Sequence, residues 1–332
     1  MNRKRKRRKW SMIWLALIML ITSGFAFRKP LSLWAYDHLL AKRVEQSLEQ
    51  VYKPLDIDRP SLDLSEEPPF SLLLLGIDQR DQEVGRSDSM IYSVIRPKDH
   101  QVLLLSIPRD SYTEIIGKGK EDKIAHAYAF GGAEMSVNTV EHLLEQPVHH
   151  YASINFKGFR DVVDALGGVA LPITEDIENK QWNHDKFFIP ANKPLYTGLE
   201  ALNYVRYRED TDQNRMERNQ IFLQAITARA LQWKQLSKIP TLLNIAGSNF
   251  QTDIPPSNMV DLGKLIFMRD EVPEFHSYAL TGDGKMMDRI WYYMLDESTV
   301  EEAHQMIEDW LDPQMDIDTL LLPFKNKDEA DN

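Results

Sequence analysis

The chain has 332 residues, 43% of them hydrophobic, and a formal net charge of -11; this allows one large folded domain or two modest ones and excludes disorder throughout. It contains no cysteine, which excludes disulfides, thiolate metal sites and a thiol nucleophile. Residues 3–9, RKRKRRK, hold seven cations, and setting them aside leaves -18 on the remainder, so the bulk of the chain is not a general nucleic-acid binder.

Trp10–Phe27 is 18 residues without a charge, about 27 Å long as a helix, against a hydrocarbon core of ~30 Å. It predicts a transmembrane signal-anchor. The cations before it outnumber Arg28 and Lys29 after it, which puts residues 1–9 in the cytoplasm and the rest outside the cell membrane. Cleavage as a signal peptide is the competing reading, because Ser23, Gly24 and Ala26 are small. Against it, the run is longer than a usual h-region and no clean A-x-A site follows.

Apolar residues at Leu33, Tyr36, Leu40, Val44, Leu48 and Val51 recur in steps of three or four and predict an amphipathic stalk helix over Leu31–Tyr52. The acidic, proline-bearing stretch after Pro54 reads as linker. Residues 28–69 are therefore expected to be stalk and linker, 70–312 the folded domain, and 313–332 a frayed acidic tail.

Phe70–Leu75 is a short apolar run that ends in Gly76-Ile77-Asp78 and reads as a buried strand. Ile91–Ile95, led in by Arg86-Ser87-Asp88-Ser89, and Val102–Ile107, ending in Pro108-Arg109-Asp110, read as two more. Helices are expected over Ala133–Leu144 and Gly158–Leu166, with strands at Tyr151–Phe156 and Val169–Ile173. Thr174–Pro194 reads as loop with short strands. Helical patterns follow at Gly198–Val205, Gln213–Leu236, Leu242–Ala246 and Ser257–Met268. A strand at Glu274–Leu280, a turn at Gly282–Gly284, a strand at Ile290–Leu295 and a helix at Ser298–Leu311 complete the domain.

Four arginines, Arg206, Arg208, Arg215 and Arg218, fall within thirteen residues of a chain that is otherwise acidic. On a helix Arg215 and Arg218 are i,i+3 neighbours able to grip one anion. A solvated helix with Glu209, Asp210, Asp212 and Glu217 as ion-pair partners is the alternative. Asp78, Arg86, Asp88 and Arg109 stand at strand edges, where ligands gather in open α/β sheets. Carboxylates among arginines suit a Mg²⁺-pyrophosphate complex, since hard Mg²⁺ takes one or two carboxylates plus phosphate oxygens. No short-spaced His/Asp/Glu cluster suggests zinc, and no G-x-S-x-G elbow suggests a serine hydrolase. His126 reads as a hydrogen-bonded structural histidine.

The stretches LLLLGID (72–78), RSDSM (86–90), SIPRD (106–110), KIAHAYAFGG (123–132), GFRDVVDALGGV (158–169), GLEALNYVRYR (198–208) and D-x-x-R-M-E-R (212–218) resemble the LytR-CpsA-Psr family, in that family's order. The resemblance implies an α/β fold: a single extracytoplasmic domain with a central mixed β-sheet flanked by helices, preceded by one transmembrane helix. It implies transfer of a glycopolymer, teichoic acid-like or capsular, from a polyprenyl-pyrophosphate carrier to peptidoglycan by phosphotransfer. By motif position Asp78 and Asp88 would hold Mg²⁺, and Arg86, Arg109, Arg206, Arg208, Arg215 and Arg218 would surround the pyrophosphate. Arg109, Asp88 and Asp212 would be catalytic, Asp212 by fixing arginines or assisting proton transfer. The chain departs from the family at Ser89, where Thr is usual, at Asn214, where Gly is common, and at Asn219, where Gln is common. The last change puts a substrate contact in question. A non-catalytic membrane regulator and a lipid pyrophosphatase are the competing functions.

Overall fold

The computed structural model describes residues 41–56, 66–78, 85–180, 186–207, 212–232, 235, 238–269 and 271–320. The expected membrane span, the first part of the stalk, most of the linker and the end of the tail lie outside the described residues. The described residues open with α1 (Ala41–Leu48). The three apolar runs become β1 (Phe70–Asp78), β2 (Arg86–Arg96) and β3 (Gln101–Ser106). β1 and β2 outrun their apolar stretches because the ladder carries on through the charged ends. A small hairpin, β4 (Tyr112–Ile115) and β5 (Lys120–Lys123), follows. Its charged sequence, KEDK on β5, gives no alternating signal, so periodicity does not find it.

Next come α2 (His126–Leu144), β6 (His150–Asn155), α3 (Phe156–Ala165) and a second small hairpin, β7 (Ile177–Asn179) with β8 (Phe187–Ile189). Gly132 takes φ 67°, ψ -150° and breaks α2 into two helical pieces, a conformation open essentially to glycine alone. Then α4 (Gly198–Arg206), α5 (Asp212–Ala230), α6 (Ile239–Asn249), β9 (Phe250–Thr252) and α7 (Pro256–Arg269) lead to β10 (Glu274–Ala279). A third hairpin, β11 (Gly282–Met287) and β12 (Ile290–Leu295), precedes α8 (Glu297–Leu311).

Six strands form one mixed sheet in the order β10-β3-β2-β1-β6-β9. β1 is antiparallel to β2 and parallel to β6, and β3 is antiparallel to β2 and parallel to β10. The C-terminal ends of β1, β3 and β6 therefore share one edge. On one face Leu73, Leu75, Ile77, Met90, Tyr92 and Val94 pack against Val137 and Val140 of α2 and Met306 and Trp310 of α8. The other face, with Leu74, Ile91 and Leu104, meets Leu223 of α5, and α3, α4 and α5 share a core around Val163, Ala201, Tyr204 and Phe222.

Four expectations change. Val169–Ile173 is not a strand: Val169 makes one isolated bridge to Tyr196, and Val169, Leu171 and Ile173 are apolar because they fill the helical-layer core. Gly282–Gly284 is strand; the turn sits at Asp288 and Arg289, both at positive φ. Residues 41–52 are not a free stalk: α1 packs against α6 and α7, Val51 is buried and Tyr52 bridges Thr252. The described part of the tail is folded, with Leu320 buried in the main core and Met315 and Ile317 against it. Among the described residues no helix is long and apolar enough to cross a membrane.

Candidate active site

The β1–β2 ladder slips by one residue near its end: Gly76 pairs with Ser89, whereas Ile77 pairs with Ser87. Asp88 is the extra residue. A bulge of this kind re-aims a side chain that strict alternation would send to the opposite face, and Asp88 and Ser89 both line the cavity on the α3–α5 side of the sheet. Gly76 permits this closeness, because a Cβ there would stand 3.0 Å from the Ser89 Cβ.

Arg109, in the loop after β3, reaches the bulge. Its Nη1 donates to Asp88 Oδ1 at 2.6 Å and its Nε to Asp110 Oδ2 at 3.4 Å. Lys123 Nζ donates to Asp110 Oδ1 at 2.7 Å. The four charges form a chain, Asp88–Arg109–Asp110–Lys123. Burial alone would favour the neutral guanidine, but the two carboxylates outweigh it and raise the Arg109 pKa above its ordinary value. Burial likewise pushes Asp110 up, and the bonds from Lys123 and Arg109 overcome it and leave the carboxyl below the usual range.

Behind this group lies a cavity of about 320 Å³ between the sheet and α3, α4 and α5. Its walls are Leu74 and Ile91 from the sheet, Phe159 and Val163 from α3, Leu202 and Val205 from α4, and Phe222, Leu223 and Ile226 from α5. Phe159 and Phe222 stack at 4.6 Å. Asp88, Ser89, Arg109, Arg206 and Asn219 supply its main polar lining. Arg206, the last residue of α4, lays its guanidinium 4.5 Å from the Phe156 ring at the start of α3, a cation-π contact that aims a charge at the same edge.

The structure thus brings Asp88, Arg109 and Arg206 into the lining of one cavity. Asp78 and Arg86 form the last pair of the β1–β2 ladder, beyond Gly76, which lines it. Arg218 is buried; its Nη2 donates to the Tyr207 carbonyl at 2.7 Å and its guanidinium lies 5.3 Å from the Tyr207 ring. It pins the chain at the end of α4 and does not line the cavity. Asp212 and Arg215 belong to the first turns of α5, but their side chains, and all of Arg208, lie outside the described residues. His126 fits the structural reading, its Nδ1 2.8 Å from Asp122 Oδ1.

Three residues of the site carry no signal of their own in the sequence. Lys123 is merely the first residue of a motif, and nothing in its spacing from Asp110 brings the two together. The turn that does so is Gly117-Lys118-Gly119, with both glycines at positive φ. It reverses the chain so that β5 returns Lys123 opposite Tyr112, beside Asp110. Phe159 and Val163 sit on the apolar stripe of a helix and look like core, because an apolar cavity and a packed core ask for the same side chains.

Mg²⁺ fits the donor set. Asp78 and Asp88 carry hard carboxylate oxygens near the end of the β1–β2 ladder, where Asp78 pairs with Arg86 and Asp88 is the bulged residue two positions along β2, and the bond from Arg109 engages one oxygen of Asp88. No group of three or more His, Asp or Glu able to hold a metal ion occurs among the described residues. A cation at this edge would be held by one or two carboxylates and completed by substrate phosphates and water, the usual arrangement for Mg²⁺.

The LytR_cpsA_psr family profile matches residues 39–308. The polyisoprenyl-teichoic acid–peptidoglycan teichoic acid transferase TagU of Bacillus cereus is 39% identical over 277 residues, covering 81% of this chain and 89% of its own. TagU of Bacillus subtilis is 32% identical over 318 residues, covering 94% and 99%. The solved structure of the LytR-CPS2A-psr family protein YwtF (TagT) with bound octaprenyl pyrophosphate lipid aligns with a TM-score of 0.55 at 28% identity, covering 76% of this chain and 94% of that one.

Proposed function

The chain belongs to the LytR-CpsA-Psr family, and from that premise we propose that it moves a wall glycopolymer from a polyprenyl-pyrophosphate carrier to peptidoglycan. The observation that carries this reading is the cavity: an apolar chamber whose polar lining brings Asp88, Arg109 and Arg206 together. An isoprenoid chain suits the chamber, and a pyrophosphate suits the two guanidiniums, which pair with phosphate oxygens in a planar fork.

In the proposed reaction an acceptor hydroxyl of peptidoglycan attacks the phosphorus that bears the glycopolymer. A new P–O bond forms, the pyrophosphate P–O bond breaks, and polyprenyl phosphate leaves with the bond electrons and takes up, through solvent, the proton that the hydroxyl gives up. Arg109 and Arg206 hold the phosphates and offset the charge that grows on the leaving group. Asp88 is held in place by Arg109, and Asp78 and Asp88 would hold Mg²⁺, which when bound neutralises pyrophosphate charge as a Lewis acid. Arg86, Arg208 and Arg215 remain proposed as the outer pyrophosphate ring and Asp212 as its organiser, whereas Arg218, expected in that ring from its motif, acts from behind it by holding the Tyr207 carbonyl. The anchor over 10–27 and an external position for the domain belong to the same proposal.

The test is mass spectrometry of lipid retained by the detergent-extracted full chain, together with transfer of polymer to peptidoglycan in vitro. Retained polyprenyl phosphates and turnover that Arg109→Ala abolishes support the reading. Hydrolysis without transfer would make the protein a lipid pyrophosphatase, and retention without any turnover would favour a regulator.

A further inference from the structure

The β11–β12 hairpin is joined to the loop that carries Arg109. The Tyr293 N–H donates to the Asp110 carbonyl at 2.9 Å, Tyr293 bridges Ser111 in parallel, and the Tyr292 ring meets Tyr112 edge to face at 4.9 Å. The turn at Asp288 and Arg289 lies four residues before that join, about 13 Å along a strand at ~3.3 Å per residue.

This tip is uncovered. Met286 is 60% exposed, Trp291 50% and Ile290 47%. Met286 pairs with Trp291 across the hairpin, and Met287 with Ile290, so successive pairs put apolar side chains on both faces. The Trp291 ring is seated across Gly284, where a Cβ would come within 1.8 Å of it. Lys285 precedes Met286, and Asp288 and Arg289 form the turn between Met287 and Ile290.

We infer that this tip is a membrane wedge, seated among the headgroups of the bilayer that holds the lipid substrate. The inference rests on the anchored, lipid-using reading above. Apolar side chains on both faces suit insertion among lipids, whereas a glycan platform presents one aromatic face ringed by hydrogen-bonding groups. Trp with nearby Lys and Arg is the composition of a membrane interface. Thirteen residues, 28–40, separate the expected span from α1. Attachment to the bilayer at that one point does not by itself turn the cavity toward the membrane, and a second contact beside Arg109 does.

Because the chain has no cysteine, Ile290→Cys can carry an environment-sensitive fluorophore in the full chain, reconstituted in vesicles containing phosphatidylglycerol. Phe188→Cys, at a residue 55% exposed on β8, serves as reference. Blue-shifted emission and severalfold weaker iodide quenching at 290 than at 188 are expected. Equal quenching at both positions overturns the wedge, as does protection at 290 that appears only when soluble glycan strands are added. A Met286→Ser/Ile290→Ser double variant should raise KM for vesicle-borne substrate and leave kcat on a short-chain substrate in detergent unchanged; equal losses in both assays would place the tip in the reaction site instead. A wild-type chain with no turnover would sink the functional reading, while the iodide comparison would still decide the wedge.

Discussion

Arg109 Nη1 and Asp88 Oδ1 meet at 2.6 Å, and the contact joins the bulge of β2 to the loop after β3. One guanidinium thereby serves two carboxylates, Asp88 and Asp110, while its side chain stays 31% exposed at the cavity. A planar fork can do this and still present N–H groups to an anion.

Arg109→Lys keeps the charge and loses the fork. Transfer is expected to fall about 10²–10³-fold, the usual effect of removing one donor aimed at developing charge. The thermal midpoint should hardly move, because the residue is partly exposed. A transfer assay beside a melting curve checks both, and wild-type turnover in this variant would remove Arg109 from the reaction.

Asp110 predicts a pH effect. Its folded pKa lies below the ordinary value, so the stability it contributes is fully present above the ordinary carboxylate range, about pH 4, and is lost as pH falls through the depressed folded value. Lys123→Met removes its hydrogen-bond donor, brings the folded pKa closer to the unfolded one and should shrink that acid loss. Asp110→Asn should flatten it. Urea midpoints measured across the acid range would show the order, and identical acid limbs in all three proteins would contradict it.

The strands of the central sheet were legible because buried strands are continuous apolar runs, as in Phe70–Leu75 and Val102–Ile107. Asp88 and Arg109 were legible as charges at strand edges. Their union was not, since a bulge at Gly76 and Ile77 depends on pairing register, which no single strand encodes. Lys123 was hidden for the same reason: it reaches Asp110 through the β4–β5 reversal. The cavity was unreadable because Phe159, Val163 and Phe222 have the spacing of core residues whether they meet each other or a ligand.

Filling the cavity tests its role apart from the charges. Ile226 lines it from α5, and Ile226→Trp is expected to cost about 1–3 kcal/mol through overpacking while displacing lipid. Extracted protein should then carry little or no polyprenyl phosphate by mass spectrometry. Undiminished lipid in a folded variant would show that the chain binds elsewhere.

Arg96 offers a stability test far from the site. It is 3% exposed, pairs with Asp99, and donates to the carbonyls of Trp310, Asp312 and Met315, each at 2.9 Å. It thus satisfies the Trp310 carbonyl in the last turn of α8 and two carbonyls of the chain that follows. Arg96→Met strands these groups and should cost about 3–5 kcal/mol, the range for breaking a buried charged contact. Deleting residues 313–332 removes the Met315 carbonyl and Leu320 from the same junction, so the two changes together should cost less than their separate costs combined. Because Arg96 is eight residues along β2 from Asp88, about 26 Å at ~3.3 Å per residue, activity per folded molecule should stay at the wild-type level. Urea titration with activity normalised to folded protein separates the outcomes: additive losses would mean that Arg96 and the tail stabilise the fold independently.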